Sequence, residues 1–232
     1  MLLLNILDMD RELLAFFNGS NSLFLDNLAL TLTSGLLWVP FYLSLIYIII
    51  KNNGTVAQIT LIIGCAAACV LTTYLLTDFI VKPYVARWRP TNDPFIKYTI
   101  DIVNQMRETK YGFFSAHAAN TFSIAIFLSK LFKNKLFTAS IITWSLLNCW
   151  TRLYLGVHYP LDILCGLIFG FVAGTGYYRL YDRQSKRMAT PTKKITAQHT
   201  RSGYYIPSLY FTLNVLATLV CYAIIYSLIR IE

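Results

Sequence analysis

Two histidines, an aspartate and three cations stand in this chain at spacings that suit phosphoryl transfer. In the run Lys82-Pro-Tyr-Val-Ala-Arg-Trp-Arg89-Pro90, Lys82 and Arg89 are fixed positive charges seven positions apart. They share a face if a helix continues through them and meet across a turn if it does not. Either arrangement suits a phosphate, and arginine adds bidentate geometry. A second cluster reads Gly112-Phe-Phe-Ser115-Ala116-His117. Ser115 is a candidate N-cap, and a helix N-terminus is an anion site whose N–H at the small Ala116 can approach a phosphate oxygen. His117 follows, placed to protonate a leaving oxygen. The third cluster runs Thr151-Arg152-Leu-Tyr-Leu-Gly-Val-His158-Tyr-Pro160-Leu-Asp162. Pro160 fits the first turn of a helix, which sets His158 and Asp162 about one turn apart. Asp162 can then hold one imidazole nitrogen and leave the other free to attack, while Arg152 supplies a third cation.

Each cluster alone has a plainer explanation. The first would serve as a basic interface anchor with Trp88 in the aromatic belt, and Asp78 reads more naturally as a helix-end charge than as a partner of Lys82. A lone His117 would be a satisfied interface residue, and a His–Asp pair can be structural. The set is nevertheless chemically complete, because phosphoryl transfer needs chiefly positioning and charge stabilisation. No carboxylate cluster suited to Mg²⁺ stands beside these groups, so neither a metal nor another cofactor is expected.

The elements that must position these groups are membrane helices. Of the 232 residues, 56% are apolar and 13% charged, too little polar surface for a soluble fold of this size. Charge-free runs give six candidate spans: Asn27–Ile50 with its membrane core at Gly35–Ile50, Asn52–Thr77, Tyr111–Ser129, Leu136–Thr151, Ile163–Tyr178 and Ser202–Ile229. Residues 9–33 read instead as two short amphipathic helices in the interface, joined by a turn at Asn18–Asn21. The expected fold is an all-α polytopic bundle of six spans with short N-terminal interfacial helices. It forms one domain over 1–232, with an interfacial segment 1–33, a catalytic core 55–181 and a C-terminal span 202–230. Met1–Leu7 lacks a basic leader and a cleavage site, so no cleaved signal is expected. Cys65, Cys69, Cys149, Cys165 and Cys221 all fall in apolar runs and read as packing residues, without disulfide or zinc.

The formal charge of +9 is scattered between apolar runs with no recognition motif, which argues against nucleic acid as a partner. Once Lys82, Arg89 and Arg152 are assigned to a site, eleven basic residues on one set of loops face six on the other. The positive-inside rule then puts Lys51, the Lys130–Lys135 loop and the Arg179–Arg201 loop in the cytoplasm. Both termini and all three clusters face outward.

The three clusters together resemble the type-2 phosphatidic acid phosphatase family of membrane lipid phosphatases, over roughly Thr55–Tyr178. Its first motif, Lys, six residues, Arg-Pro, matches Lys82, Arg89 and Pro90. Its second, Pro-Ser-Gly-His, matches Ser115 and His117, with Phe114 and Ala116 at the other places. Its third, Ser-Arg, five residues, His, three residues, Asp, matches Arg152, His158 and Asp162, with Thr151 replacing Ser. The resemblance implies that His158 forms a phosphohistidine, that Asp162 orients it, and that His117 is the general acid and then helps activate water. Lys82, Arg89, Ser115 and Arg152 would bind the phosphate, and the hydroxyl of Thr151 could share in that contact.

The expected activity is hydrolysis of a phosphate monoester or terminal diphosphate on a membrane lipid. Undecaprenyl diphosphate and the phosphates of lipid A come before phosphatidylglycerol phosphate or phosphatidic acid, with the Phe95–Tyr111 loop selecting the headgroup. The expected place is a bacterial inner membrane, with the site facing the periplasm. Two rivals are a lipid-to-lipid phosphotransferase and a transporter. The transporter fits less well, because the charges gather at one membrane face instead of the midplane.

Overall fold

The computed structural model describes residues 2–108, 111–188 and 196–230. Lys110, Lys193 and Lys194, which enter the loop charges above, lie outside the described residues. The described chain is helical, with no named strand and two isolated bridges, Trp88 with Tyr111 and His199 with Tyr205. In order the helices are α1 (Leu2–Phe17), α2 (Leu23–Thr33), α3 (Val39–Asn52), α4 (Val56–Leu75), α5 (Lys82–Val85), α6 (Ala116–Phe132), α7 (Lys135–Tyr154), α8 (Pro160–Ser185) and α9 (Ile206–Ile229).

Among the described residues, four helical segments are long and apolar enough to cross a membrane: Gly35–Asn52, Val56–Val85, Pro160–Ser185 and Ile206–Ile229. Their polarity is arranged for lipid. Leu43, Leu71, Ile168, Val172 and Ile225 are more than half exposed, while Thr73, Ser123, Ser145, Thr212 and Ser227 are fully buried. Buried hydroxyls bridge helices. Thr121 meets Ser145 at 2.8 Å, Thr72 meets Tyr177 at 2.6 Å, and Thr73 bonds Asn120. In hydrocarbon, where apolar burial gives no net drive between helices, such bonds and close packing hold a bundle together.

The seam that matters most joins α6 to α8. Gly166, Gly170 and Gly174 recur every fourth residue along α8 and let its backbone lie against α6. A Cβ at Gly166 would sit 2.7 Å from the Ser115 carbonyl oxygen, one at Gly170 would sit 2.7 Å from that of Ala119, and one at Gly174 would run into that of Ser123. Ala118 and Ala119 are fully buried on the α6 side. This close approach brings two helix N-termini together, where the Ser115 N–H donates to the Asp162 carbonyl at 3.0 Å. A second core forms around Trp144, whose ring meets Trp38 at 5.7 Å and Phe41 at 5.3 Å. It ties α7 to the start of α3.

The helix α4 does not end cleanly. Its hydrogen bonding slips to the π pattern over Leu76–Val81 before the short α5, and Ala86 then closes the helix in the left-handed region at φ 50°. π segments recur at functional sites, and this one carries Asp78 and leads into Lys82. Because the helix stops there, Lys82 and Arg89 meet across a turn and do not share a helical face.

The N-terminal segment is also helical, but α1 starts at Leu2 and is longer than the sequence pattern indicates. The turn after it is pinned. Asn18 Nδ2 donates to the carbonyls of Tyr154 and Asp101 at 2.9 and 3.1 Å, and Gly19 takes φ 72°. Asp10 on α1 is 4% exposed, which places it inside the protein.

Candidate active site

A cavity of about 980 Å³ opens where α4, α6 and α7 meet the loop after α5. Lys82, Arg89, Ala116, His117 and His158 all line it, together with Thr33, Glu108 and Asn148. Ser115, Arg152 and Asp162 lie behind that surface and are 0–1% exposed. Thr151 is different: its hydroxyl donates to its own helix at the Asn148 carbonyl, 2.8 Å away, and does not line the cavity.

His158 sits in the short link between α7 and α8. Its Nδ1 is 3.5 Å from Asp162 Oδ2 and its Nε2 is 2.9 Å from Arg89 Nη1. A guanidinium only donates, so Nε2 is the accepting nitrogen and the neutral ring carries its proton on Nδ1, towards Asp162. Burial holds the imidazole well below its ordinary pKa, and Arg89, Arg152, Lys82 and His117 push it the same way. The ring is therefore neutral, with an unprotonated nitrogen facing a cation.

Arg89 is 2% exposed. Its Nη1 also donates to the Val157 carbonyl at 2.9 Å, and its Nη2 pairs with Glu108 Oε2 at 3.0 Å. Burial pushes its guanidinium down to about 10 against the pull of the Asp162 and Asp78 carboxylates, which leaves it charged at neutral pH. Arg152 donates to Thr33 Oγ1 at 2.7 Å and pairs with the other Glu108 oxygen. One carboxylate thus bridges the two buried arginines. Lys82 pairs with Asp78, four residues back, so Asp78 is a partner and not merely a helix-end charge.

Asp162 caps the start of α8: its Oδ2 accepts from the Tyr159 N–H at 3.0 Å. Its Oδ1 accepts from Arg87 Nη1 at 2.7 Å. Ser115 caps α6, its Oγ accepting from the Ala118 N–H at 3.4 Å. His117, exposed on the first turn of α6, faces the cavity. Gly112 passes so near that a Cβ there would lie 2.9 Å from Arg89 Cγ and 3.5 Å from His158 Nδ1.

An apolar groove of about 680 Å³ adjoins the cavity between α3, α4 and α6. Tyr42, Val70, Tyr74, Asn120 and Thr121 form walls of both. A polar, cationic chamber thus continues into a greasy one.

The PAP2 superfamily model matches residues 62–186, more than half of the chain, and includes every residue of the three clusters. The chain belongs to the PAP2 superfamily. A lipid A 4'-phosphatase of Bacteroides thetaiotaomicron is 34% identical over 221 residues, covering 95% of this chain and 97% of that protein. A lipid A 4'-phosphatase of Porphyromonas gingivalis is 32% identical over 177 residues, 76% of this chain and 74% of its own length. An undecaprenyl-diphosphatase of Bacillus subtilis is 28% identical over 89 residues, 38% of this chain and 45% of its own. No solved structure matches the chain. With its apolar helices and this kinship, this PAP2 protein is an integral membrane lipid phosphatase.

The residues that sequence reasoning missed are Glu108, Arg87 and Asp10. Arg87 stands between Lys82 and Arg89 and was counted only as a loop charge. Glu108 falls in the loop expected to select the headgroup. Asp10 offered one signal, a carboxylate inside an apolar N-terminal stretch.

Proposed function

We propose that this protein removes the 4'-phosphate of lipid A at the outer face of the inner membrane, through a phosphohistidine on His158. The observation that carries the chemistry is the Asp162-backed imidazole whose accepting Nε2 faces Arg89 in a cation-lined cavity. The choice of lipid A is supported by likeness along nearly the full length of one relative of that name.

In the resting site Glu108 occupies the arginine pair, and the incoming phosphate displaces it. Arg89, Arg152, Lys82 and the first N–H groups of α6 then hold the phosphate oxygens. The Nε2 lone pair attacks phosphorus while the bond to the sugar oxygen breaks, and His117 gives that oxygen a proton. The ring keeps its Nδ1 proton and becomes cationic, balanced by Asp162. Water then attacks phosphorus, His117 takes its proton, the P–N bond breaks, and phosphate leaves. The acyl chains run into the adjoining apolar groove. In this reading α6 and α7 complete a six-span bundle, α1 and α2 lie in the outer interface, and the basic end of α8 is cytoplasmic.

Purified protein in detergent, offered lipid A, undecaprenyl diphosphate and phosphatidic acid in parallel, tests the substrate. Lipid A should lose its 4'-phosphate with a kcat/KM at least tenfold above either other lipid. A clear preference for undecaprenyl diphosphate would overturn the choice, and loss of the lipid phosphate only when an acceptor lipid is added, with the phosphate recovered on that acceptor and not free, would make it a transferase.

A further inference from the structure

Behind His158, on the side away from the cavity, charged groups continue past Asp162. Arg87 Nη1 donates to Asp162 Oδ1 at 2.7 Å, and Arg87 Nη2 pairs with Asp10 Oδ2 on α1 at 2.5 Å. The other oxygen of Asp10 accepts from the Leu161 N–H in the first turn of α8 at 2.8 Å. The guanidinium lies 4.2 Å over the Tyr159 ring, whose hydroxyl is anchored to Asp93 at 2.6 Å. The Asp10 side chain is 2% exposed and that of Asp162 is 0%. Two buried carboxylates therefore share one arginine at the head of α8.

Were Arg87 to face Asp162 alone, the pair would be neutral and would offer little to a ring that turns cationic. With Asp10 also held, the three groups carry one net negative charge, stabilised by the positive end of α8 and directed at His158. Removing Arg87 would leave two buried carboxylates opposed, and removing the Asp10 charge would leave Asp162 cancelled.

We propose that Asp10 and Arg87 are positioning residues for phosphoryl transfer: Arg87 aims Asp162 at His158, and Asp10 keeps Arg87 from neutralising it. The N-terminal helix α1 is then a working part of the active site. This inference rests on His158 being the nucleophile.

The test uses the purified full chain with two variants. Asp10→Asn keeps an oxygen for the Leu161 N–H but loses the charge, and Arg87→Ala removes the guanidinium. Both should lower kcat at least tenfold, while KM and the inhibition constant of inorganic phosphate stay within about twofold, since the phosphate-holding cations are untouched. Added guanidinium should restore part of the Arg87→Ala turnover in a saturable way. Wild-type kcat in Asp10→Asn, equal losses in kcat and phosphate binding, or no rescue by guanidinium would overturn the proposal. His158→Ala separates the two readings: if it keeps turnover, the nucleophile is wrong, whereas a dead His158→Ala beside a normal Asp10→Asn sinks only this inference.

Discussion

At the scale of single residues, the site is organised by what each polar atom must donate or accept. Arg89 can only donate, so it fixes the tautomer of His158 and turns the Nδ1 side towards Asp162, 3.5 Å away. Glu108 bridges the two buried arginines, the pair proposed to hold the phosphate. Glu108→Gln removes a charged competitor, so inorganic phosphate should inhibit several-fold more tightly; weaker inhibition would make Glu108 a strut for the arginines instead. His158 carries a second prediction. Its folded pKa lies below the ordinary value of about 6.5, so its contribution to stability is complete above that pH and is lost as pH falls towards the folded value. Melting in detergent should therefore fall from pH 7 to pH 5, and His158→Gln should flatten that fall. An unchanged slope would mean the ring is not held neutral. Motif spacing made the convergence of His158, Asp162, Lys82 and Arg89 legible, because within each motif the pair is close enough in sequence for one turn or one helix start to bring it together. Glu108, Arg87 and Asp10 act across long sequence separations, and nothing local distinguishes them from ordinary loop or interface charges.

At the scale of elements, the α6–α8 seam sets the distance between the two helix N-termini that carry Ser115, His117 and Asp162. A methyl at Gly166 would press on the Ser115 carbonyl. Gly166→Ala should therefore cost about 1–3 kcal/mol of stability, and a shift near 1 Å at the site should cost roughly a hundredfold in kcat. Thermal unfolding and kinetics check the two effects; a variant with wild-type values for both would remove the seam from the account. The sequence showed α8 as the apolar run Ile163–Tyr178, and its four-residue glycine spacing did not say which helix it would meet. Helix ends were more accessible: Ser115 and Pro160 carry their own cap chemistry, and both stand where a helix begins. The π turn over Leu76–Val81 lies at the end of an apolar run and was not legible there.

At the scale of the whole molecule, the protein is turned for lipid, with apolar faces outward and hydroxyls within. Composition alone made that plain. The number of crossings was harder to read, because α6 and α7 bring the site's polar residues into apolar stretches; α6 is 17 residues long and α7 carries Arg152 in its last turn. For the proposed orientation, a cysteine at Gln184, in a chain stripped of its five free cysteines, should resist an impermeant thiol reagent in intact cells. Rapid labelling there would invert the topology. The cations around the cavity would repel a divalent ion, so chelation with EDTA should leave turnover unchanged, and loss restored by Mg²⁺ would contradict the mechanism.

The central claim is that phosphorus passes through Nε2 of His158. Rapid quenching of the enzyme with a phosphate-labelled lipid, followed by peptide mapping under alkaline conditions, tests it directly. The account predicts an acid-labile phosphoryl group on His158, absent from His158→Ala, whose turnover falls at least about a thousandfold, or roughly 4 kcal/mol of barrier, while His199→Ala behaves as wild type. Label on any other residue, or undiminished turnover in His158→Ala, would contradict it.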